Sequence, residues 1–312
     1  MMGAVRGNKL KGNPNGKKPR AARTERANGA APAGPSPIER VRLARNPTRP
    51  QSLDYFDLLL RDFFEIHGDR RFSDDGAIVA GLAYFGGRPV AVVGQQRGRT
   101  TAERIKRNFG SPKPDGYRKA ARVYQLAEQF GLPLLTFIDT QGADPGVSAE
   151  ERGQVEAIAA DLELMARLTV PSIACVIGEG GSGGALALGV ANRVLMQENA
   201  CYSVITPEGC AAILWRTASE ENVARAASAM KLSAPDLKSL GLIDEIVPEP
   251  SGGAHTAPAE AAHLLGAAIA RNLAQLSKMK PEQLRRDRDR KFAAMGSSFV
   301  TRARVENERP IS

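Results

Sequence analysis

An α/β layered domain is the fold class that this sequence predicts, and three observations lead to it. Short apolar runs of strand length alternate with longer segments in which apolar residues recur every three or four positions. Two predicted strands are joined by Gly86 and Gly87, and two later strands end in glycine-rich loops that lead into helices. Alternation of this kind is typical of a central sheet with helices packed on its faces.

The predicted elements follow one another from about Ile38. Apolar spacing predicts a helix over residues 52–64, and the paired glycines predict a β-hairpin over residues 77–85 and 89–95, because glycine accepts the positive φ of a tight turn. Further on, the pattern predicts helices over residues 117–130, 148–168 and 185–190, and strands over residues 134–138, 172–177, 193–196 and 202–205. Helices then continue to the end, where the charged segment after Lys278 predicts an exposed helix or tail.

The two longer helices each have a predicted buried face. These faces consist of Val123, Leu126, Ala127 and Phe130 in the first helix, and of Val155, Ile158, Ala159, Leu162 and Met165 in the second. Ser148 and Glu151 have the spacing of a capping box, which places the start of the second helix at Ser148.

The net charge of +9 over 312 residues is concentrated near the N-terminus, where residues 1–36 carry +7 and leave +2 for the rest. This segment is rich in glycine and proline and has few apolar side chains, so we expect residues 1–37 to be a disordered basic tail. It serves either as a solubilising arm or in contact with an acidic surface; nucleic acid is the less favoured partner. Residues 38–295 then form one domain, and residues 296–312 an exposed tail.

Several classes of protein are disfavoured by composition. The three cysteines, Cys175, Cys201 and Cys210, form no Cys-x-x-Cys pair and fit a reducing compartment, and with only three histidines a zinc site is not expected. No apolar run approaches the roughly 20 residues of a membrane span, and no signal peptide is evident. We therefore expect a cytoplasmic protein without a membrane partner.

The glycine-rich loop at residues 178–184 is the strongest functional signal. It leads from a predicted buried strand into a helix, where free N–H groups and the helix dipole suit an oxyanion. A tight turn with close packing is the structural alternative. Gly180, Ser182 and Gly184 also satisfy G-x-S-x-G, the nucleophile motif of α/β-hydrolases, with Asp244 and His255 as possible partners. A serine hydrolase is therefore the second candidate.

Two other segments can contribute to a site. Residues 139–146 form a second strand-end loop with Gly142, Ala143 and Gly146, and ligands collect at the carboxyl ends of strands in open α/β sheets. Arg97 and Arg107 belong to a cationic cluster suited to phosphates or carboxylates, although a solvated basic face explains it equally well.

Together these segments resemble one family, the alpha subunit of acetyl-CoA carboxylase carboxyltransferase, over residues 38–295. The resemblance rests on residues 49–55, 107–110, 116–120, 150–154, 178–187 and 207–210. It implies a crotonase-like spiral of ββα units with flanking helices. It also implies transfer of a carboxyl group from carboxybiotin to acetyl-CoA to give malonyl-CoA, the first committed step of fatty acid biosynthesis.

The resemblance also implies partners and site residues. The partners are a zinc-ribbon beta subunit in an α2β2 heterotetramer, a biotin carboxyl carrier protein and, in the ATP-dependent holoenzyme, biotin carboxylase. Carboxybiotin binds on alpha and acetyl-CoA on beta, with no metal on this chain. The backbone N–H groups of Gly183 and Gly184 form the oxyanion hole, and the substrate-binding residues are Gly142, Ala143, Gly146, Gly180, Gly181, Ser182, Arg97 and Arg107.

Three positions depart from the family pattern. Gln141 replaces a proline, Asp144 a tyrosine and Gln95 a histidine. A carboxylate at Asp144 would repel an anionic substrate unless it is paired, for instance with Arg152, so Asp144→Tyr is expected to raise turnover if the repulsion exists. The alternatives are a different acyl-CoA preference or a degenerate copy kept for assembly.

Overall fold

The computed structural model of the chain describes residues 34–297. The first elements are α1 (Pro37–Ala44), α2 (Ser52–Leu59), β1 (Leu60–Glu65), β2 (Ile78–Phe85), β3 (Arg88–Gln95), α3 (Thr101–Lys106), α4 (Pro114–Phe130), β4 (Leu134–Thr140), α5 (Val147–Glu151) and α6 (Gln154–Arg167). The others are β5 (Ser172–Gly181), α7 (Ser182–Leu186), β6 (Arg193–Gln197), β7 (Cys201–Ser203), α8 (Pro207–Trp215), α9 (Glu220–Ala229), α10 (Ala234–Ser239), β8 (Glu245–Val247), α11 (Pro258–Leu276) and α12 (Pro281–Ala294).

One sheet organises these elements. Its order is β1-β2-β3-β4-β5-β6-β8, and β7 pairs with the end of β5. The pairs β1–β2 and β2–β3 are antiparallel, whereas β3, β4, β5, β6 and β8 run parallel to one another. Because parallel strands end at the same edge, the loops after β4 and β5 meet there. The predicted α/β fold is confirmed: β2 and β3 are followed by α3 and α4, and β6 and β7 are followed by α8.

Helices cover both faces of the sheet. On one face, Tyr117 and Tyr124 of α4 and Met165 of α6 are buried against the strands. On the other face, α2 and α11 pack on the sheet, and the ring of Phe56 meets that of Phe137 edge-on at 5.3 Å. The edge where the loops after β4 and β5 meet therefore lies beside a core that helices cover on both faces of the sheet.

The hairpin prediction is confirmed. Gly86 and Gly87 have φ values of 55° and 78°, and the strands pair in register up to Phe85 and Arg88. Two consecutive residues at positive φ are what a type I′ turn requires, and only glycine accepts this without strain.

The helix predicted over residues 52–64 is wrong beyond Leu59. Residues Leu60–Glu65 form β1, which pairs with β2 at the sheet edge. Phe63 packs edge-on against Phe56 at 5.1 Å, while Phe64 is 70% exposed. Aromatic residues favour strands, and alternation between the two faces overrides the helical spacing here.

The helix predicted over residues 148–168 is two helices. Gly153, at φ 82°, separates α5 from α6, and Gly146 rather than Ser148 caps α5, so the predicted capping box does not form. The buried face of α6 also differs from the predicted one: it consists of Gln154, Ala157, Asp161 and Met165, whereas Val155 is 77% exposed. Because the break at Gly153 changes which side of α6 faces the core, polar residues lie on its buried face.

Three smaller predictions also need correction. Helix α4 begins at Pro114, and Phe130 at its end is 62% exposed because its buried face runs through Tyr117, Ala120 and Tyr124. Strand β5 extends into the glycine loop, so α7 begins at Ser182 rather than at residue 185. The charged helix α12 is not fully exposed, because Arg288 is buried and donates to Ala166 O and Asn192 Oδ1.

The predicted tails fall mostly beyond the part of the chain that the structure describes. Residues 1–33 of the basic tail and residues 298–312 of the C-terminal tail lie outside it. Within residues 34–297, no helix combines the length and apolar character that crossing a membrane requires.

Candidate functional site

Two strand-end loops approach each other closely at the edge of the sheet. The first follows β4 and contains Gly142 and Ala143; the second is the glycine-rich segment in which β5 passes directly into α7, and it contains Gly183 and Gly184. A Cβ atom on Gly184 would lie 2.5 Å from the amide nitrogen of Ala143 and 2.9 Å from the carbonyl carbon of Gly142. Only glycine allows this approach, so the packing of the loops explains the residue at position 184.

Three backbone N–H groups of these two segments are available to a ligand. Gly183 and Gly184 lie in the first turn of α7, where N–H groups have no acceptor within the helix. The amide of Ala143 lies beside Gly184, and among the described residues no hydrogen bond uses any of these three N–H groups. Such a cluster can stabilise negative charge on an oxygen. The family resemblance implied donors on Gly183 and Gly184 alone. The approach of Ala143 joins residues that are far apart in the sequence, so no local pattern predicts it.

Other glycines of the loops are fixed by their neighbours. A Cβ on Gly180 would meet the ring of Tyr202 at 2.6 Å, and one on Gly181 would overlap the backbone of Gln141. Gly142 has φ 149°, which disfavours a side chain. By contrast, a Cβ on Gly183 would find only the Cγ2 of Ile158, at 3.8 Å. Gly183 therefore has room that Gly184 lacks.

Gln95 supports the site from inside the sheet. Its fully buried side chain donates from Nε2 to the carbonyl of Gly184 at 2.8 Å and accepts at Oε1 from the amide of Asp139 at 3.1 Å. It thus links the end of β3 to both loops. Histidine, the usual residue of the family that the sequence resembles, can also donate and accept at the same time. The sequence singled out Gln95 only as a departure, not as this link.

Arg97 joins the ends of the two loop-bearing strands. Its guanidinium lies 2.7 Å from Asp139 Oδ1 and 2.9 Å from Glu179 Oε2. Burial lowers the pKa of Arg97, but the two carboxylates outweigh it and raise the pKa above its usual value. Arg45 pairs with the other oxygen of Glu179 at 2.7 Å. Arg107 instead donates to the carbonyl of Gly76 at 2.7 Å.

The carboxylate of Asp144 is turned into its own loop. Oδ1 accepts from the amide of Gly146 at 2.8 Å, and Oδ2 accepts from Asn108 Nδ2 at 3.1 Å. The suggested partner was wrong: Arg152 pairs with Asp115 at 2.5 Å and stacks over Phe72. Two hydrogen bonds disperse the charge of Asp144 without a cation.

Two cavities adjoin the loops. One, of about 400 Å³, lies beside Gln141 and is lined by Arg45, Arg49, Arg97 and Arg104 together with Phe109. The other, of about 300 Å³, is an apolar groove beside Gly183, lined by Leu186, Val204, Leu242 and Phe292 among others. The site thus has one polar and one apolar side.

The acid and the histidine that a serine hydrolase would require are not joined to Ser182 by hydrogen bonds within residues 34–297. Ser182 is exposed at φ 55°, the sharp strand-to-helix turn that a nucleophile motif would need. However, Asp244 accepts from the amide of Val194 and from Lys291 Nζ, and no hydrogen bond within residues 34–297 joins Ser182 to a histidine. Within the same residues, no cluster of three or more His, Cys, Asp or Glu side chains could hold a metal ion.

Comparison with solved structures places the fold. The chain superposes on the transcarboxylase 12S structure with a TM-score of 0.59 at 21% identity, covering 72% of this chain and 42% of that one. It superposes on the Pseudomonas malonate decarboxylase hetero-dimer with a TM-score of 0.61 at 18% identity, covering 82% and 96%. These likenesses confirm the crotonase-like α/β fold.

Comparison with sequences identifies the family. The chain is 57% identical over 265 residues to the acetyl-coenzyme A carboxylase carboxyl transferase subunit alpha of Sorangium cellulosum, covering 85% of this chain and 83% of that protein. Identity to the subunit of the same name from Aquifex aeolicus is 55% over 262 residues, covering 84% and 80%. These findings fit the carboxyltransferase and not the hydrolase. Since residues 22–296 also match the family model, the chain belongs to the acetyl co-enzyme A carboxylase carboxyltransferase-like family.

Proposed function

We propose that this chain is the alpha subunit of an acetyl-CoA carboxyltransferase, and that it holds carboxybiotin while acetyl-CoA receives the carboxyl group to give malonyl-CoA. The observation that carries the proposal is the cluster of three free N–H groups from Ala143, Gly183 and Gly184.

The chain acts by stabilising charge. Bound carboxybiotin would supply the carboxyl group: as its N–carboxyl bond breaks, its ureido oxygen would gain negative charge, and the freed biotin nitrogen would take the proton that leaves the acetyl methyl group. The N–H groups of the two loops donate to this oxygen, and they cost no reorganisation because Gln95 and Arg97 already hold the loops. One such donor is worth about 3–4 kcal/mol of the barrier. The substrate-binding roles expected for Gly142, Gly146, Gly180, Gly181, Ser182, Arg97 and Arg107 remain predictions.

A beta subunit is the partner that the proposal requires. The apolar groove beside Gly183 includes Val204, which is 77% exposed, and exposed apolar patches of this kind mark interaction surfaces. We infer an α2β2 assembly that receives biotin on a separate carrier protein charged by biotin carboxylase, located in the cytoplasm and feeding fatty acid biosynthesis.

The test is carboxyl transfer between malonyl-CoA and biocytin by this chain co-purified with the beta subunit from the same genome. We expect transfer that requires both subunits. Gly183→Pro removes one N–H in the first turn of α7 and should lower kcat by about 10²–10³-fold.

Gly183→Ala is the matched control. It keeps the N–H and finds the nearest side-chain atom at 3.8 Å, so it should retain most of the activity. No transfer by a stable, correctly assembled wild-type complex would contradict the proposed function.

A further inference from the structure

Two fully buried polar side chains in the described part of the core have oxygen atoms without hydrogen-bond partners. Among the described residues, neither the hydroxyl of Tyr117 nor either carboxylate oxygen of Asp161 has a hydrogen-bond partner. Both side chains have no exposed surface. Burying a polar group without a partner is destabilising, so an isolated group of this kind calls for an explanation.

Tyr117 reaches the loops from the core. A Cβ on Gly184 would lie 2.7 Å from the hydroxyl oxygen of Tyr117, on the same side as the amide of Ala143. The hydroxyl therefore occupies the space directly behind both donor-bearing segments. A phenylalanine would leave a gap of one oxygen atom at that position.

The hydroxyl keeps its proton in this setting. Burial, with smaller contributions from Asp161 and Asp75, raises the pKa of Tyr117 well above its usual value. Burial, with a contribution from Glu156, likewise raises the pKa of Asp161.

We infer that Tyr117 is a positioning residue for the transfer reaction: its hydroxyl supports Gly184 and sets the separation between the Gly142–Ala143 segment and α7. The inference rests on the proposed function. It explains why an unpartnered hydroxyl persists in the core, since its contact with Gly184 fixes donors rather than stabilising the fold. Misplacing a reacting group by about 1 Å can cost about 100-fold in rate.

Tyr124 provides a matched control on the same helix. It is equally buried, but its hydroxyl donates to the carbonyl of Ala187 at 3.2 Å, beyond the end of α7. Tyr124→Phe therefore removes a hydrogen bond, whereas Tyr117→Phe removes none. The two variants differ in position and in the role of one oxygen atom.

The experiment compares Tyr117→Phe, Tyr124→Phe and wild type, each co-purified with the beta subunit, in malonyl-CoA to biocytin transfer and in thermal unfolding. For Tyr117→Phe we expect kcat to fall by about 10-fold or more, with the KM for biocytin little changed and Tm unchanged or higher. For Tyr124→Phe we expect Tm to fall by about 2–4 °C, with kcat within about twofold of wild type.

The outcomes separate the inference from the proposed function. Wild-type transfer with an unchanged kcat in Tyr117→Phe overturns the inference and leaves the function intact. A kcat loss in Tyr117→Phe that comes with a Tm loss at least as large as that of Tyr124→Phe also overturns it, because the role is then structural. Absence of transfer by assembled wild type instead overturns the function.

Discussion

The two loops at the site are held in opposite ways. The loop after β4 is held by its own side chains: Thr140 Oγ1 accepts from the amide of Gly142 at 3.0 Å, and Asp144 Oδ1 accepts from the amide of Gly146 at 2.8 Å. The segment in which β5 passes into α7 consists almost entirely of glycine and has few side chains with which to hold itself. Its shape comes from the residues around it.

This difference predicts which substitutions should change the reaction. A glycine loop places N–H groups close to a ligand but loses more conformational entropy on folding than other residues do. Here Gln95, Arg97 and Tyr117 restrict it from outside. Variants of these surrounding residues should therefore change the reaction, whereas a side chain that serves only its own loop should matter less.

Arg97→Ala should have the largest effect on stability. It leaves the buried carboxylates of Asp139 and Glu179 without the cation that joins them, and removing one partner of a buried pair costs about 3–5 kcal/mol. Urea unfolding measures the loss. Arg99→Ala is the control, since its pair with Asp54 is half-exposed and should contribute less than about 1 kcal/mol. Equal losses in the two variants would show that Arg97 is not a clamp.

Gln95→Leu should lower kcat by about 10-fold. It deprives the carbonyl of Gly184 and the amide of Asp139 of their partner, and each unsatisfied buried group costs about 1–3 kcal/mol. Gln95→His should keep kcat near wild type, because imidazole can donate and accept at the same positions. Steady-state transfer kinetics test both, and equal activity of the Leu variant would rule out a positioning role.

Asp161→Asn should change stability in a pH-dependent way. Burial, with a smaller contribution from Glu156, raises the pKa of Asp161 in the folded state. The stability that depends on its proton is fully present below the unfolded pKa of about 3.9 and is lost as pH rises through the folded pKa. The Asn variant does not titrate. Its unfolding free energy relative to wild type should therefore increase from pH 4 to pH 8, and a pH-independent difference would contradict the raised pKa.

Asp144→Asn should have the smallest effect. The amide keeps an acceptor for Gly146, and the carboxylate that it replaces is already directed at Gly146 and Asn108. We expect kcat to change by less than about twofold, which is under 1 kcal/mol. A rise of about tenfold would instead support the repulsion that the sequence suggested and would make Asp144→Tyr the next variant.

Much of the fold could be predicted because its signals are local. The Gly86-Gly87 turn and the apolar run of β4 are encoded in adjacent residues. The helix predicted through Phe64 failed because its apolar spacing fits a helix and an edge strand alike. The second long helix failed because Gly153 breaks it and places Asp161 on the inner face.

The site could be predicted only in part, for a related reason. The density of glycines pointed to the loop at residues 178–184, and the family resemblance pointed to Gly183 and Gly184. The approach of Ala143 to Gly184, the link through Gln95 and the contact of Tyr117 join residues 41 or more positions apart. No pattern of neighbouring residues reports such distances.

The kcat of malonyl-CoA to biocytin transfer for Gly184→Ala relative to Gly183→Ala tests most directly whether the separation of the two loops governs the reaction. A methyl group at position 184 would lie 2.5 Å from the amide of Ala143 and push the donor segments apart, whereas position 183 has room. We expect a loss of about 100-fold for Gly184→Ala and less than about threefold for Gly183→Ala, in complexes of equal assembly. Equal activity of the two variants would show that the separation of the two loops does not govern the reaction.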